Sequence, residues 1–413
     1  MKLTSLRRLQ STSEQLDDRV RTSFITCLQD VVFQGRNHHY PNCLLDCKQG
    51  LVNPYDERVM SLQRDSFYDN DEWKEYSYSE PCGTIKSPHF FFIYNVDNYF
   101  HFIYDTLPIL YTYFKLKEQE PTLKLLLNTS HPSKYDLAPF VKEFLAQLGI
   151  TEWSTPHPGA KYKTVYVSTS FTHGGKSNTM PSFEAYCLWK RFSTLQSKGP
   201  KHFYISRRSW VHGKTENMGT NYTMRRKCEN EDEVVQLLAK YNIQEVFTEL
   251  LTTEEKLALF QNAELVVGIV GGGMCNLLFS PPTTKTLCIN TPYFLDINER
   301  FQHSMNHTQL KISHCSSHTL SPGAFRLYSR VRVTTDDHQY FGYVGEVEGF
   351  PTQGQVLVSL SSNDIAGFSQ DFPLTKVVLQ EQDLTAVDQG LNSPFTVNLI
   401  ILDDNLKNLL SSE

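Results

Sequence analysis

Residues 203–279 constrain this chain more than any other stretch. They open on Phe203-Tyr204-Ile205-Ser206, a short strand by pattern, which delivers Arg207 and Arg208 at its end. They close on a second apolar run, residues 265–270, followed by Gly271, Gly272 and Gly273. Two helices are expected between these strands. Asn230 with Glu233, and Thr252 with Glu255, have the spacing of a capping box at each start. Residues 245–247 read as a further strand. Short apolar strands separated by helices need crossover connections, so the sheet is expected to be parallel with helices on its faces. The strand ends carry groups suited to an anion. Arginine forks match phosphate oxygens. Glycines let a backbone approach a ligand closely, and a loop leading into a helix presents N–H groups to a phosphate. A phosphorylated or nucleotide-linked ligand is the chemistry to expect.

The same grammar extends in both directions. From Phe90 to Tyr94 the chain becomes aromatic and apolar, and residues 123–127 and 165–167 read as strands. Residues 132–148 have helical spacing and stop at Gly149, and residues 181–195 form a helix with Pro181 in its first turn. Asn276 to Phe279 starts another helix, and residues 285–290 form one more strand. Two consecutive units of this kind suggest two Rossmann-like halves facing a cleft. The pattern changes after Leu320. Residues 325–333, 340–347, 355–360 and 374–379 are short alternating strands punctuated by Gly342, Gly345, Gly349, Pro351 and Gly354. They predict a small all-β, SH3-like barrel. Residues 395–402 read as a last strand or a docking tail. The expected divisions are an N-terminal arm or cap (1–80), a first α/β unit on the acceptor side (81–200), a second, nucleotide-sugar unit (201–320), the β module (321–390) and a tail (391–413). A module so unlike the body is expected to be separable by truncation near Leu320.

Composition narrows the function. A chain of 413 residues suggests two to three domains. The net charge of −6 gives no general support for nucleic-acid binding, so any anion site is local. No run of about 18 apolar residues is present, so no membrane span is expected. The first residues lack the apolar core of a leader, which places the chain as written in the cytoplasm, or in the ER and Golgi if a leader was removed. Nine cysteines, an odd number at scattered spacing, argue against a full disulfide framework. Cys43 and Cys47, with His38 and His39, match no closed zinc pattern. The sequons at Asn128, Asn221 and Asn306 do not establish secretion. The acidic pairs Asp17-Asp18, Asp336-Asp337 and Asp403-Asp404 lie outside the α/β units, so no metal and no cofactor are expected. A dehydrogenase would need Gly-x-Gly-x-x-Gly after the first strand and an acidic residue for the ribose, and neither is seen.

Taken in order, Tyr204-Ile-Ser-Arg-Arg, a following arginine, Asn230-Glu231-x-Glu-Val, Leu-Thr-x-x-Glu-x-x-x-Leu-Phe and Val-Val-Gly-x-x-Gly-x-Gly-x-x-Asn276 form a series that resembles glycosyltransferase family 61. That family includes O-linked GlcNAc transferases and plant xylosyl- and arabinosyltransferases. An upstream Asn then His-x-x-x-Asp is matched by Asn98, His101 and Asp105. The resemblance covers about residues 85–300 and implies a GT-B fold and an inverting transfer from a nucleotide sugar, UDP-linked by expectation, to a glycan or glycoprotein. At the glycine turn the chain departs from the family phrase His-Gly-Ala-Gly-x-x-Asn: Val270 stands where the histidine belongs, and valine neither donates a hydrogen bond nor carries a proton.

Residue chemistry and this resemblance together suggest roles. Arg207 and Arg208 are expected on the donor diphosphate, although a pair of surface cations is the plainer reading. Arg226 fits the family's further arginine better than Arg225. Gly271, Gly272, Gly273 and Asn276 are expected at the donor, with Asn98, Asn230 and Glu231 in support. On a helix, His101 and Asp105 share a face. Asp105 is expected to be the base that takes the acceptor proton, with His101 as its partner; a capped aromatic helix with one polar edge is the plainer alternative. The loop His173-Gly174-Gly175-Lys176 reads as a surface turn. A second function class remains open, in which the chain is a weak or inactive family member that binds glycans or uses its β module for partners; Val270 points that way.

Overall fold

A computed structural model describes residues 83–92, 99–127, 137–155, 160–168, 181–192, 199–208, 226–291, 310–318, 329–361, 375–386 and 394–411, with a few isolated positions between them. It also describes the strands Arg7–Arg8, Phe24–Gln34, Cys43–Asp46 and Gly50–Val52.

The second α/β unit forms around strands with few polar residues. Phe203, Val266, Val267, Leu287 and Ile289 are completely buried, as expected for strands covered on both faces. Its five strands lie in the order Gln244–Val246, His202–Ile205, Leu265–Ile269, Lys285–Ile289, Leu310–Ser313, and every neighbouring pair is parallel. Numbered along the chain this order is 2-1-3-4-5. The winding therefore reverses between His202–Ile205 and Leu265–Ile269, which makes a crevice at their C-terminal ends. The fifth strand, Leu310–Ser313, was not anticipated. Thr252 caps the helix Thr253–Gln261 as the spacing predicts. Its hydroxyl accepts from Glu255 N at 3.2 Å, and the Glu255 carboxylate accepts from Thr252 N at 2.8 Å. The Asn230 cap does not form. Asn230 precedes the helix Glu231–Ala239, but its amide turns to the C-terminal strand, donating to Val397 O and accepting from Val397 N, both at 2.9 Å.

The first sheet is mixed rather than parallel. Ala160–Ser168, His89–Phe92 and Lys124–Leu127 run parallel, but Phe24–Gln34 pairs antiparallel with Ala160–Ser168. The strand comes from the segment read as an arm. Its Ile25, Thr26, Val31 and Val32 favour extended backbone, and the open edge of Ala160–Ser168 accepts it in register from Ile25 to Val32. The helix before Gly149 spans Pro139–Gln147, and Gly149 ends it at φ +75°. The helix after Pro181 is shorter than expected, Phe183–Trp189.

The two units share one core. Phe144 stacks on Phe279 at 5.8 Å and meets Phe192 edge-on at 5.4 Å. Glu143 of the first unit accepts from Thr253 N of the second at 2.8 Å.

The β module is a five-stranded antiparallel sheet in the order Thr375–Gln380, Gln355–Ser361, Val344–Gly349, Arg330–Val333, Leu384–Ala386. It has its own core of Val331, Val333, Val347, Val356, Val358, Leu360, Leu379 and Leu384. Among the described residues its end strands are not paired with each other. The last residues return to the second unit. Phe395–Val397 pairs with Ser316–His318, and the helix Leu399–Ser411 buries Leu402, Leu406 and Leu409. Tyr241 donates to Asp403 at 2.5 Å and Asn405 to Ser313 Oγ at 2.7 Å. Truncation near Leu320 would therefore remove part of the α/β body along with the module.

Candidate functional site

The crevice of the second sheet is where its charged groups meet. The strand His202–Ile205 ends at Ser206, and Glu231 anchors the chain at that point. One oxygen of the Glu231 carboxylate accepts from Tyr204 OH at 2.9 Å, Ser206 Oγ at 3.0 Å and Arg207 N at 2.9 Å. Burial raises the Glu231 pKa above its usual value, and these three hydrogen bonds with the Arg207 charge oppose the shift. Glu231 thus sets the course of the chain into Arg207.

Arg207 reaches the glycine turn. Its Nη1 donates to Val270 O at 3.4 Å, and a Cβ on Gly271 would lie only 2.9 Å from that nitrogen. The same Cβ would lie 3.8 Å from Nη2 of Arg226. Two guanidinium groups thus pass close to the Gly271 backbone. Arg226 is buried and sits at φ +52°, a left-handed conformation that a long side chain rarely adopts. Burial pulls the Arg207 pKa down, with Glu231 the main opposing charge.

Arg208 goes elsewhere. Its Nε and Nη2 donate to the two carboxylate oxygens of Glu245 at 2.5 and 2.7 Å, and its Nη1 pairs with Asp232. The Glu245 hydrogen bond raises its pKa further. This bidentate pair braces the edge strand Gln244–Val246 against its neighbour. Two adjacent arginines that look equivalent in sequence thus have different duties, because successive residues leaving a strand point to opposite sides.

The glycine turn runs into a 3-10 helix, Gly272–Phe279, instead of the α-helix expected from Asn276. Val270 is completely buried, and its N–H donates to Ile289 O at 2.9 Å. Gly272 has open space where a side chain would be, while a Cβ on Gly273 would meet Ile205 Cγ2 at 3.0 Å and Thr248 Oγ1 at 3.4 Å. Asn276 is buried, donates to Gly273 O at 3.0 Å and accepts from Tyr99 OH at 2.6 Å. It ties the turn to the first unit.

Tyr99 opens the facing wall. The segment is helical but changes type along its length: Tyr99–His101 (α), Phe102–Thr106 (π), Leu107–Ile109 (3-10) and Leu110–Gln119 (α). Pro108 lacks an N–H and crowds the preceding turn, which accounts for the loss of α geometry. Trp189 Nε1 donates to Ile103 O at 3.1 Å within the π turn, and the Trp189 ring stacks on Tyr104 at 5.8 Å. Short π segments often mark functional positions. His101 lies in the α turn and Asp105 in the π turn, but their side chains are outside the described part of the structure. Asn98, Arg225, residues 173–176, the three sequons and the set of Cys47, His38 and His39 also lie outside the described residues.

Sequence reasoning missed three neighbours. Lys256 is buried with its ammonium 4.9 Å from the Tyr99 ring centre, and burial lowers its pKa. Thr248 and Glu249 form the 3-10 turn Thr248–Leu250 beside Gly273. The capping box at Thr252 locates these elements, but no local signal says which side chains turn inward. Among the described residues no group of three or more His, Cys, Asp or Glu is placed to hold a metal. Nor is any described helix long and apolar enough to cross a membrane.

Residues 99–287 match the family described as Glycosyltransferase 61, in agreement with the resemblance drawn from the ordered motifs. The match runs from Tyr99 to Leu287 and so takes in both walls of the site. It supports glycosyl transfer as the general activity. No curated protein matches the chain.

Proposed function

We propose that the chain is an inverting glycosyltransferase that moves a sugar from a UDP-linked donor to a hydroxyl of a glycan or glycoprotein. One observation carries the reading: Arg207 and Arg226 converge on Gly271 at the point where the sheet reverses its winding. Open α/β sheets bind ligands in that crevice. Two cations side by side repel, and a left-handed arginine stores about 1–3 kcal/mol of strain. A bound diphosphate offsets both.

The chemistry then divides between the walls. The acceptor oxygen attacks the anomeric carbon, and the bond from that carbon to the diphosphate oxygen breaks. UDP leaves with the electron pair, and Arg207 and Arg226 stabilise its growing charge. Asp105, partnered by His101, takes the acceptor proton. Arg208 is not assigned to the donor, because Glu245 and Asp232 already engage it. Asn276, Asn230 and Glu231 shape the site without touching the donor. The inactive alternative draws on Val270 alone.

The test is a thermal-shift series with UDP, GDP and CMP, followed by sugar transfer from the nucleotide that binds. A ligand at 100 times its Kd stabilises the native state by about 2.7 kcal/mol. UDP is expected to raise the Tm, and transfer is expected to persist in a chelator because arginines supply the positive charge. Transfer that vanishes with chelator and returns with manganese would contradict that division of labour. Absence of a shift with every nucleotide would remove the donor site.

A further inference from the structure

Glu249 is a carboxylate that neither the ordered motifs nor the proposed chemistry uses. It sits in the turn Thr248–Leu250, next to Thr248, whose hydroxyl faces Gly273. Its Oε1 is buried and accepts no hydrogen bond. Its charge is felt by two cations, Arg207 in the donor crevice and Lys256 against Tyr99 at the seam with the first unit. A buried acceptor without a donor costs about 1–3 kcal/mol, more if charged. Such a group is retained where a ligand supplies the missing O–H or N–H.

The rest of the site limits what that ligand group is. It is not a phosphate oxygen, since two anions would face each other. No cluster of acidic or imidazole groups accompanies Glu249 to hold a metal among the described residues. An ionised carboxylate is an acceptor only, and its two oxygens suit two adjacent hydroxyls. We propose that Glu249 receives a vicinal hydroxyl pair of the nucleotide-sugar donor, on the side of the diphosphate that faces the seam. The proposal rests on the donor-site reading above. It makes Glu249 a specificity residue that distinguishes a hydroxylated donor from a bare diphosphate.

Calorimetry with four probes tests it: inorganic pyrophosphate, UDP, 2′-deoxy-UDP and UDP-linked N-acetylglucosamine, each against the wild type and Glu249→Gln. A hydrogen bond to a charged group is worth about 1.5–3 kcal/mol, or roughly 10- to 150-fold in affinity. If the ribose supplies the hydroxyls, the variant loses at least tenfold on UDP, and 2′-deoxy-UDP binds the wild type as weakly as UDP binds the variant. If the transferred sugar supplies them, UDP is unaffected and only the UDP-sugar weakens. Pyrophosphate affinity stays within about twofold in either case. The 2′-deoxy-UDP and UDP-sugar comparisons on the wild type are independent of whether the variant folds. An affinity for every probe that Glu249→Gln leaves unchanged would overturn the proposal while leaving the donor site intact, as would a loss on pyrophosphate as large as that on UDP. Failure of the wild type to bind both pyrophosphate and UDP would instead overturn the donor-site reading, and this proposal with it.

Discussion

The two α/β sheets meet at one seam but bring different material to it. The second sheet is wholly parallel, and its strand ends deliver Arg207 and Gly271 to a crevice that topology alone creates. The first is mixed, and its contribution is an aromatic wall, Tyr99, Phe100 and Tyr104, on a helix broken into α, π and 3-10 turns. Positive charge is thus concentrated on one side, and the candidate base on the other. Donor binding and proton removal should be separable by mutation, with Tyr99–Asn276 and Glu143–Thr253 as the joints between them.

The largest expected effect tests what belongs to the second sheet. Removing residues 395–413 takes away the strand bracketed by Asn230 and three fully buried leucines, Leu402, Leu406 and Leu409. Each buried leucine is worth about 2–5 kcal/mol against alanine, and a domain has about 5–15 kcal/mol in all. The truncated chain should fail to give a cooperative unfolding transition. Replacing residues 329–386 by a short linker should retain one, because the module keeps its own core. A stable, nucleotide-binding truncation would show the terminal helix to be an accessory.

Next comes the candidate base. Asp105→Asn is nearly isosteric and should lower transfer by about 10²–10⁴ while UDP affinity stays unchanged. Single-turnover transfer and calorimetry, run in parallel, check both halves. Full activity would move the base away from the first unit's wall, and lost UDP affinity would show that the two walls are not separable.

Gly271→Ala should have a smaller effect, on binding alone. The new methyl would meet Arg207 Nη1 at 2.9 Å, and the flexible guanidinium would move aside. UDP affinity should fall roughly tenfold, the lower end for a charge-assisted contact, with the Tm nearly unchanged. An affinity equal to wild type would mean that Arg207 does not use this approach.

Smallest is the pH effect of Glu231. Its folded pKa is raised from 4.5 by burial, so the folded state holds the proton more tightly than the unfolded chain. Its contribution is fully present below about pH 4.5 and is lost as pH rises through the raised value. Glu231→Gln has no charge to bury, so its Tm should fall less than wild type between pH 4.5 and 7. Parallel Tm–pH curves would contradict this.

The second unit was legible almost strand by strand, because buried parallel strands are short apolar runs and Thr252–Glu255 marks a helix start locally. The first unit was less so. Phe24–Gln34 carries a strand signal, but its antiparallel pairing with Ala160–Ser168 spans well over a hundred residues of chain, and no local pattern records it. Pro108 accounts for a break in the helix, but nothing local specifies that the break takes the form of a π turn. Within the site, the arginine and glycine positions were readable as types. The split between Arg207 and Arg208 was not, since it depends on Glu245 arriving on the neighbouring strand. Asn230 likewise looked like a cap because its true partner, Val397, is remote in sequence. Lys256 and Glu249 gave no signal, since inward orientation is decided by tertiary packing.

The split between the adjacent arginines gives the most direct test of the donor site. UDP titrated by calorimetry into Arg207→Ala, Arg226→Ala and Arg208→Ala should show a loss of roughly 10- to 150-fold in each of the first two, the range for a charge-assisted contact. Arg208→Ala should keep its affinity and lose stability instead, since its fork is closed on Glu245. Equal losses in all three, or a loss confined to Arg208→Ala, would contradict a donor site built where Arg207 and Arg226 meet over Gly271.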